Sequence, residues 1–227
     1  MATYDLEQQE QLDQFKHFWN TYGNLITWAL VAVVGAYAGW TGYQYWQNER
    51  GTKAATLFEE LDRANVRVEA DKVNRIFADM KDHYAGATYT EHGALLTAQF
   101  QVARNKPEEA RATLQWLIDN GKTPSLVAVG RLRLAAVLLD LKKYDEALKL
   151  VDADVPEEFK PLVADRRGDI LQAQGKKDEA LKAYQAAFKD MDPTVDYRRF
   201  IEGKLTALGA PPAISAFAPP ANAAATN

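Results

Sequence analysis

Cysteine is absent from this 227-residue chain, which removes disulfide frameworks, thiolate zinc sites and cysteine nucleophiles together. Only two serines occur, Ser125 and Ser215, and neither stands in the G-x-S-x-G setting of a hydrolase elbow. His17, His83 and His92 are the only histidines and form no H-E-x-x-H pair. Glu91 beside His92 reads as a solvated helix start rather than a zinc site, and Asp178 and Glu179 as solvated helix faces rather than an acid/base pair. Phosphate loops and glycine-rich dinucleotide turns are missing too. The expectation is a protein with no catalytic residues, no cofactor and no metal. Excess positive charge is also lacking: the net charge is -4, and lysines and arginines are scattered among acids, so nucleic acid is not an expected partner.

The next absence is local. Between Lys16 and Glu49 there is no Asp, Glu, Lys or Arg. The stretch from Leu25 to Trp46, LITWALVAVVGAYAGWTGYQYW, supplies about 33 Å of helix, enough to cross a hydrocarbon core. Trp19 and Tyr22 precede it, and Trp40, Tyr43, Tyr45 and Trp46 close it, at the depth where amphipathic rings meet headgroups. A buried core helix of this length would rarely lack an ionisable residue. A cleavable signal peptide is the sharper rival, because Ala36-Tyr37-Ala38 has the small-x-small form of a cleavage site. The long acidic segment ahead of the run (Asp5, Glu7, Glu10, Asp13) and the apolar character that continues to Trp46 argue against it. Lys16 upstream, against Arg50 and Lys53 downstream, mildly favours a cytoplasmic C-terminal domain, but so small a bias does not fix sidedness.

Leu12, Phe15, Phe18, Trp19 and Tyr22 recur at helical spacing, so residues 1–24 read as an amphipathic lead-in to the span at 25–46. Within the span, Gly35 and Gly39, supported by Ala32 and Ala36, form a candidate packing face for another membrane helix.

From Lys53 onward the pattern is helical and no strand is needed. Ala54 to Asp62 continues from the anchor, and Val73 to Tyr84 forms a further helix that Gly86 ends. Three short turns then align: NKPEEA ending at Ala110, KKYDEA at Ala147 and GKKDEA at Ala180. The closing alanines are 37 and 33 residues apart, and Ala98, Ala135 and Gly168 each lie twelve residues before one of them. A period near 34, with small residues opposed across a helical hairpin, is the tetratricopeptide signature. Leu114, Leu117, Leu134, Leu138, Leu171 and Tyr184 fill the remaining space. Pro161 and Pro193 punctuate the third unit, and residues 197–208 read as a closing cap helix. The fold class is therefore all-α: one membrane helix, a tetratricopeptide-like repeat domain over 47–208, and an uncharged Ala/Pro tail at 209–227 expected to be disordered. Stacked helix pairs bind partners on the face made by their first helices. Helical phase assigns Leu95, Gln99 and Val102, then Leu132, Ala136 and Leu139, then Asp165, Asp169 and Gln172 to that face.

In order along the chain, an acidic N-terminal segment, the anchor ending in GYQYW (Gly42 to Trp46), RLRLAAVLLDLKKYDEAL (Arg131 to Leu148) and LVADRRGDILQAQGKKDEA (Leu162 to Ala180) together resemble the bacterial YfgM-like family. Its members are ancillary subunits of the Sec translocon, and the resemblance covers nearly all of residues 1–208. It implies a single-pass protein of the bacterial inner membrane with a cytoplasmic N-terminus and periplasmic repeats. It also implies association with the SecYEG channel and with a membrane-anchored periplasmic chaperone of the prolyl-isomerase-like type, and contact with unfolded translocating polypeptides. No family catalytic residue carries over. The Ala/Pro tail departs from the family core, and the weak charge bias leaves a cytoplasm-facing scaffold unrelated to secretion as the alternative. Intact mass of the membrane-extracted protein is expected to retain the segment ahead of Tyr37; loss of the first 38 residues would mean cleavage after Ala38.

Overall fold

The structure, a computed structural model, describes residues 3–212; for residues 3–15 and for Phe18 it describes the backbone alone. The remainder of the expected tail and the side chains of Leu12, Phe15 and Phe18 lie outside the described residues. Helix α1 spans Thr3–Val66, followed by α2 (Ala70–Tyr84), α3 (Thr88–Ala103), α4 (Pro107–Asn120), α5 (Pro124–Asp140) and α6 (Tyr144–Val151). A single 3-10 turn (Glu157–Phe159) leads into α7 (Lys160–Ala173), α8 (Lys177–Asp190) and α9 (Arg198–Ala207). No strand occurs among the described residues. The chain divides into two units, Met1–Thr52 and Lys53–Asn227.

In the first unit α1 is apolar and long enough to cross a membrane. Leu25, Trp28, Tyr37, Trp40 and Trp46 are among its exposed apolar side chains. The threonine hydroxyls inside this stretch are satisfied within the helix: Thr27 Oγ1 donates to the Gly23 carbonyl and Thr41 Oγ1 to the Tyr37 carbonyl, each at 2.8 Å. Lipid offers no hydrogen-bond partner, so this internal pairing suits an apolar surrounding. At the far edge the Arg50 guanidinium lies 4.6 Å from the centre of the Trp46 ring.

The second unit is built on one repeated turn. Val68, Asn105, Lys142, Gly175 and Gly209 all adopt left-handed backbone, with φ of 62°, 59°, 59°, 79° and 83°. At each, the residue's own N–H donates three residues back and the next N–H donates five residues back, as in Asn105 to Val102 O and Lys106 to Gln101 O, both 2.9 Å. This Schellman arrangement closes the last carbonyls of a helix and turns the chain for the next one. The left-handed residues are 37, 37, 33 and 34 residues apart.

Among the described residues the turns define four hairpins, where sequence patterning gave three. The additional one pairs the end of α1 with α2. Its left-handed residue is a valine, and Leu61 and Val73 stand where the later units have small residues. Both are fully buried. The room for Leu61 comes from α3: a Cβ added at Gly93 would lie 3.3 Å from Leu61 Cδ2 and 3.2 Å from Met80 Sδ. In the later hairpins Ala98 faces Ala110 and Ala135 faces Ala147, all buried. In the fourth, α8 presents Tyr184, and a Cβ at Gly168 would overlap its ring. The largest facing side chain thus meets the residue with no side chain.

Packing between second helices adds to this. Phe77 of α2 and Trp116 of α4 meet edge to face at 5.6 Å. Gln101, buried between α2 and α4, donates to Asn74 Oδ1 at 3.0 Å and accepts from Thr113 Oγ1 at 2.9 Å, so its burial leaves both ends of the amide paired. Glu91 is not a solvated helix start. It is buried, and its oxygens accept the backbone N–H groups of Lys122 (2.8 Å) and Thr123 (3.3 Å), which tie the start of α5 to α3. α9 closes the array where a cap helix was expected.

A β-branched residue in the left-handed region is strained by roughly 1–2 kcal/mol. Val68→Gly is therefore expected to stabilise the protein by about 1 kcal/mol, raising the thermal midpoint by about 2–4 °C. Gly168→Ala is expected to cost about 1–3 kcal/mol by displacing Tyr184. Thermal unfolding of the two variants, followed by circular dichroism, should move in opposite directions.

Candidate functional site on the inner face of the repeats

The first helices α3, α5 and α7 carry the residues assigned to the inner face. Position relative to the left-handed turn decides what each can do. Residues ten before the turn point at the next first helix: Phe58 of α1 lies 5.9 Å from the Tyr89 ring and 6.3 Å from the His92 ring of α3. Leu95 is likewise buried, and its carbonyl accepts Arg133 Nη1 at 3.0 Å. Leu132 and Leu139 are half-buried, with Leu139 packed on the core.

Asp165 occupies the same position and is the clearest departure from the expected binding face. It is 1% exposed, and its carboxylate accepts Lys204 Nζ on both oxygens at 2.8 Å and Tyr197 Oη at 2.8 Å. Asp169, a turn further on, accepts Lys204 Nζ at 2.6 Å, Tyr184 Oη at 2.9 Å and Arg166 Nη1 at 3.3 Å. Gln172 is exposed, but its Oε1 lies 2.8 Å from the same tyrosine hydroxyl. Asp165 and Asp169 hold α7 to α8 and α9 rather than standing open to a partner, and Gln172 adds a bond to α8 from an exposed position. Burying a charge is tolerable only when it is paired, and one ammonium between two carboxylates supplies the pairing.

What stays open is a groove between α3 and α5, of about 410 Å³. Its lining is mostly apolar, with Ala98, Val102, Ala103 and Leu114 on one side and Ala136 and Val137 on the other. Gln99, Arg133 and Asp140 form its polar rim. Of the residues assigned from helical phase, Gln99, Val102 and Ala136 belong to it. Arg133 and Asp140 were missed, since both belong to a mixed helix face that reads as plain solvated surface. The space exists because alanines stand where larger side chains could have met.

The candidate membrane face is placed differently. Ala32, Gly35, Ala36 and Gly39 are all exposed on α1, and a Cβ added at Gly35 or Gly39 would have nothing within 4 Å. Among the described residues no group of three or more metal-ligating side chains is gathered.

Anchor, repeated turn and inner groove together define a membrane-anchored protein of the tetratricopeptide repeat-like class, and the family of that description matches residues 16–210. Among relatives, the ancillary SecYEG translocon subunit of Neisseria gonorrhoeae is 31% identical over 207 residues, covering 89% of this chain and 98% of that protein. The protein of the same name in Escherichia coli is 32% identical over 199 residues, covering 86% of this chain and 94% of its own length. That in Haemophilus influenzae is 26% identical over 184 residues, covering 81% of this chain and 90% of its own. The chain belongs to the family of ancillary SecYEG translocon subunits. Family and apolar helix together fit a single-pass protein of the inner membrane.

Burial, and then the neighbouring carboxylates, push the hydroxyls of Tyr184 and Tyr197 well above the ordinary phenol range. In the unfolded chain they lose their protons near pH ~10, so above that value the unfolded state holds fewer protons than the folded one. Stability is expected to be unaffected by these groups below pH ~10 and to fall as pH rises beyond it. Chemical denaturation between pH 8 and 11 should show that fall, and Tyr184→Phe should reduce its slope.

Proposed function

We propose that this chain is a membrane-anchored adaptor of the Sec translocon, joined to SecYEG by its apolar helix and working through protein-protein binding rather than catalysis. The observation that carries the reading is the combination, on one chain, of a membrane-length helix and four helical hairpins with an open inner groove, in a family whose members are named for SecYEG. The repeats lie in the periplasm with the N-terminus in the cytoplasm. There they hold a membrane-anchored chaperone of the prolyl-isomerase-like type and meet newly translocated, unfolded chains. The exposed Gly35 and Gly39 stripe serves as the docking face in the bilayer, because two helices pack most closely where neither carries a side chain.

A second reading, a cytoplasm-facing scaffold, is favoured by Arg50 and Lys53 just after the span, since cytoplasmic flanks carry the excess of positive charge. Alkaline phosphatase fused after Leu208 is expected to be active; an inactive fusion of normal abundance would put the repeats in the cytoplasm. In the same cells, a photo-crosslinker at Gly35 or Gly39 is expected to capture a SecYEG subunit. Recovery of other membrane proteins alone would remove the docking assignment.

A further inference from the structure

We propose that the groove between α3 and α5 receives an extended peptide segment with an aliphatic side chain at its centre, an acidic residue two positions to one side and a basic residue two positions to the other. The proposal rests on the adaptor reading and names the chemistry that its groove selects.

The floor is apolar, and the cavity of about 410 Å³ is of a size that holds small ligands or buried side chains. A floor made by Ala98, Ala136, Val137 and Leu114 suits an aliphatic group and gives a polar one no partner. The rim adds direction. Arg133 and Asp140 stand seven residues apart on α5, two turns or about 10 Å along its axis. Arg133 spends one N–H on the Leu95 carbonyl, and its remaining donors have no partner among the described residues. Neither do the Asp140 carboxylate and the Gln99 amide, both exposed. One end of the groove thus offers unused donors and positive charge, the other an unused carboxylate.

Counted from the left-handed turn, Arg133 corresponds to Arg166 of α7, Gln99 to Asp169 and Asp140 to Ala173, so only the first two have polar counterparts there. Arg166 is paired with Asp169, and Asp169 in turn with Lys204. Where a following helix supplies partners, the polar groups of this face are consumed; between α3 and α5 they are left over. In an extended chain residues i, i+2 and i+4 share one face, and i to i+4 spans about 13 Å. That span, shortened by the reach of the Arg133 and Asp140 side chains, sets acid and base over the rim and the central side chain over the floor. The occupant is therefore a peptide with opposite charges flanking an aliphatic residue, in either chain direction.

The test uses the full chain in detergent and two labelled nonapeptides. One is Gly-Ser-Glu-Ala-Leu-Ala-Lys-Ser-Gly, and the other has Lys in place of Glu. The unaltered protein is expected to bind the first at least about tenfold more tightly in fluorescence anisotropy. Arg133→Glu, which also gives up the hydrogen bond to the Leu95 carbonyl, is expected to invert that order with unchanged helical content by circular dichroism. Ala136→Phe, which fills the groove, is expected to abolish binding of both peptides, with unchanged helical content by circular dichroism. Equal affinity for the two peptides, an order that survives Arg133→Glu, or binding unaffected by Ala136→Phe would each overturn the proposal. Self-association that Ala136→Phe removes, without peptide binding, would assign the groove to a second copy and overturn it as well. SecYEG recovery, read on the same preparations, separates the two claims. If the unaltered chain fails to recover SecYEG while the peptide switch operates, the adaptor reading fails and the groove assignment stands.

Discussion

The repeat unit of this protein depends on a single backbone event, the left-handed residue that ends each first helix. Five residues from Val68 to Gly209 adopt it, and each time the same two backbone hydrogen bonds close the preceding helix. Because those bonds use only main-chain groups, the turn forms with valine, asparagine, lysine or glycine, although valine bears more backbone strain there than glycine. Side chains then adjust around a fixed reversal. Ala98 and Ala110 let one hairpin close tightly, Gly168 clears room for Tyr184, and Leu61 is housed by Gly93 on the neighbouring helix. The constant is the path of the chain; packing is solved anew in each unit.

Much of this was legible before any coordinates. The apolar run from Leu25 to Trp46 stands out by what it lacks, and three of the turns share a Lys, Asp or Glu and Ala pattern that small residues support at a fixed offset. The first hairpin escaped because it keeps the backbone and changes the chemistry. Val68 to Val73 reads VEADKV, and Leu61 and Val73 replace the small pair. Only the spacing of 37 residues to the next turn would have pointed to it.

The inner face was legible in phase but not in use. Helical periodicity groups Leu95, Leu132 and Asp165 on one side, and all three lie ten residues before a left-handed turn. It does not say whether solvent or another helix meets that side. At Asp165 the neighbours are Lys204 of α9 and Tyr197 just ahead of it, about forty and thirty residues away in sequence. Glu91 shows the same limit: its two backbone donors come from beyond the next helix. Exposed polar groups such as Arg133 and Asp140 carry no periodic signal at all, and only the neighbouring alanines reveal that they border a hollow.

The closing helix is joined to the array in a different manner from the units before it. Earlier joints are dominated by aliphatic surfaces, whose attraction varies little as one helix slides or rotates slightly on another. The Asp165, Asp169, Lys204 and Tyr197 cluster is directional, and a shift of an ångström would break several bonds at once. α9 is accordingly indexed in register as well as adhered: Ile201 and Leu205 bury its apolar side beside Tyr184 and Phe188, while the charged cluster fixes how far it can slide or turn on that surface.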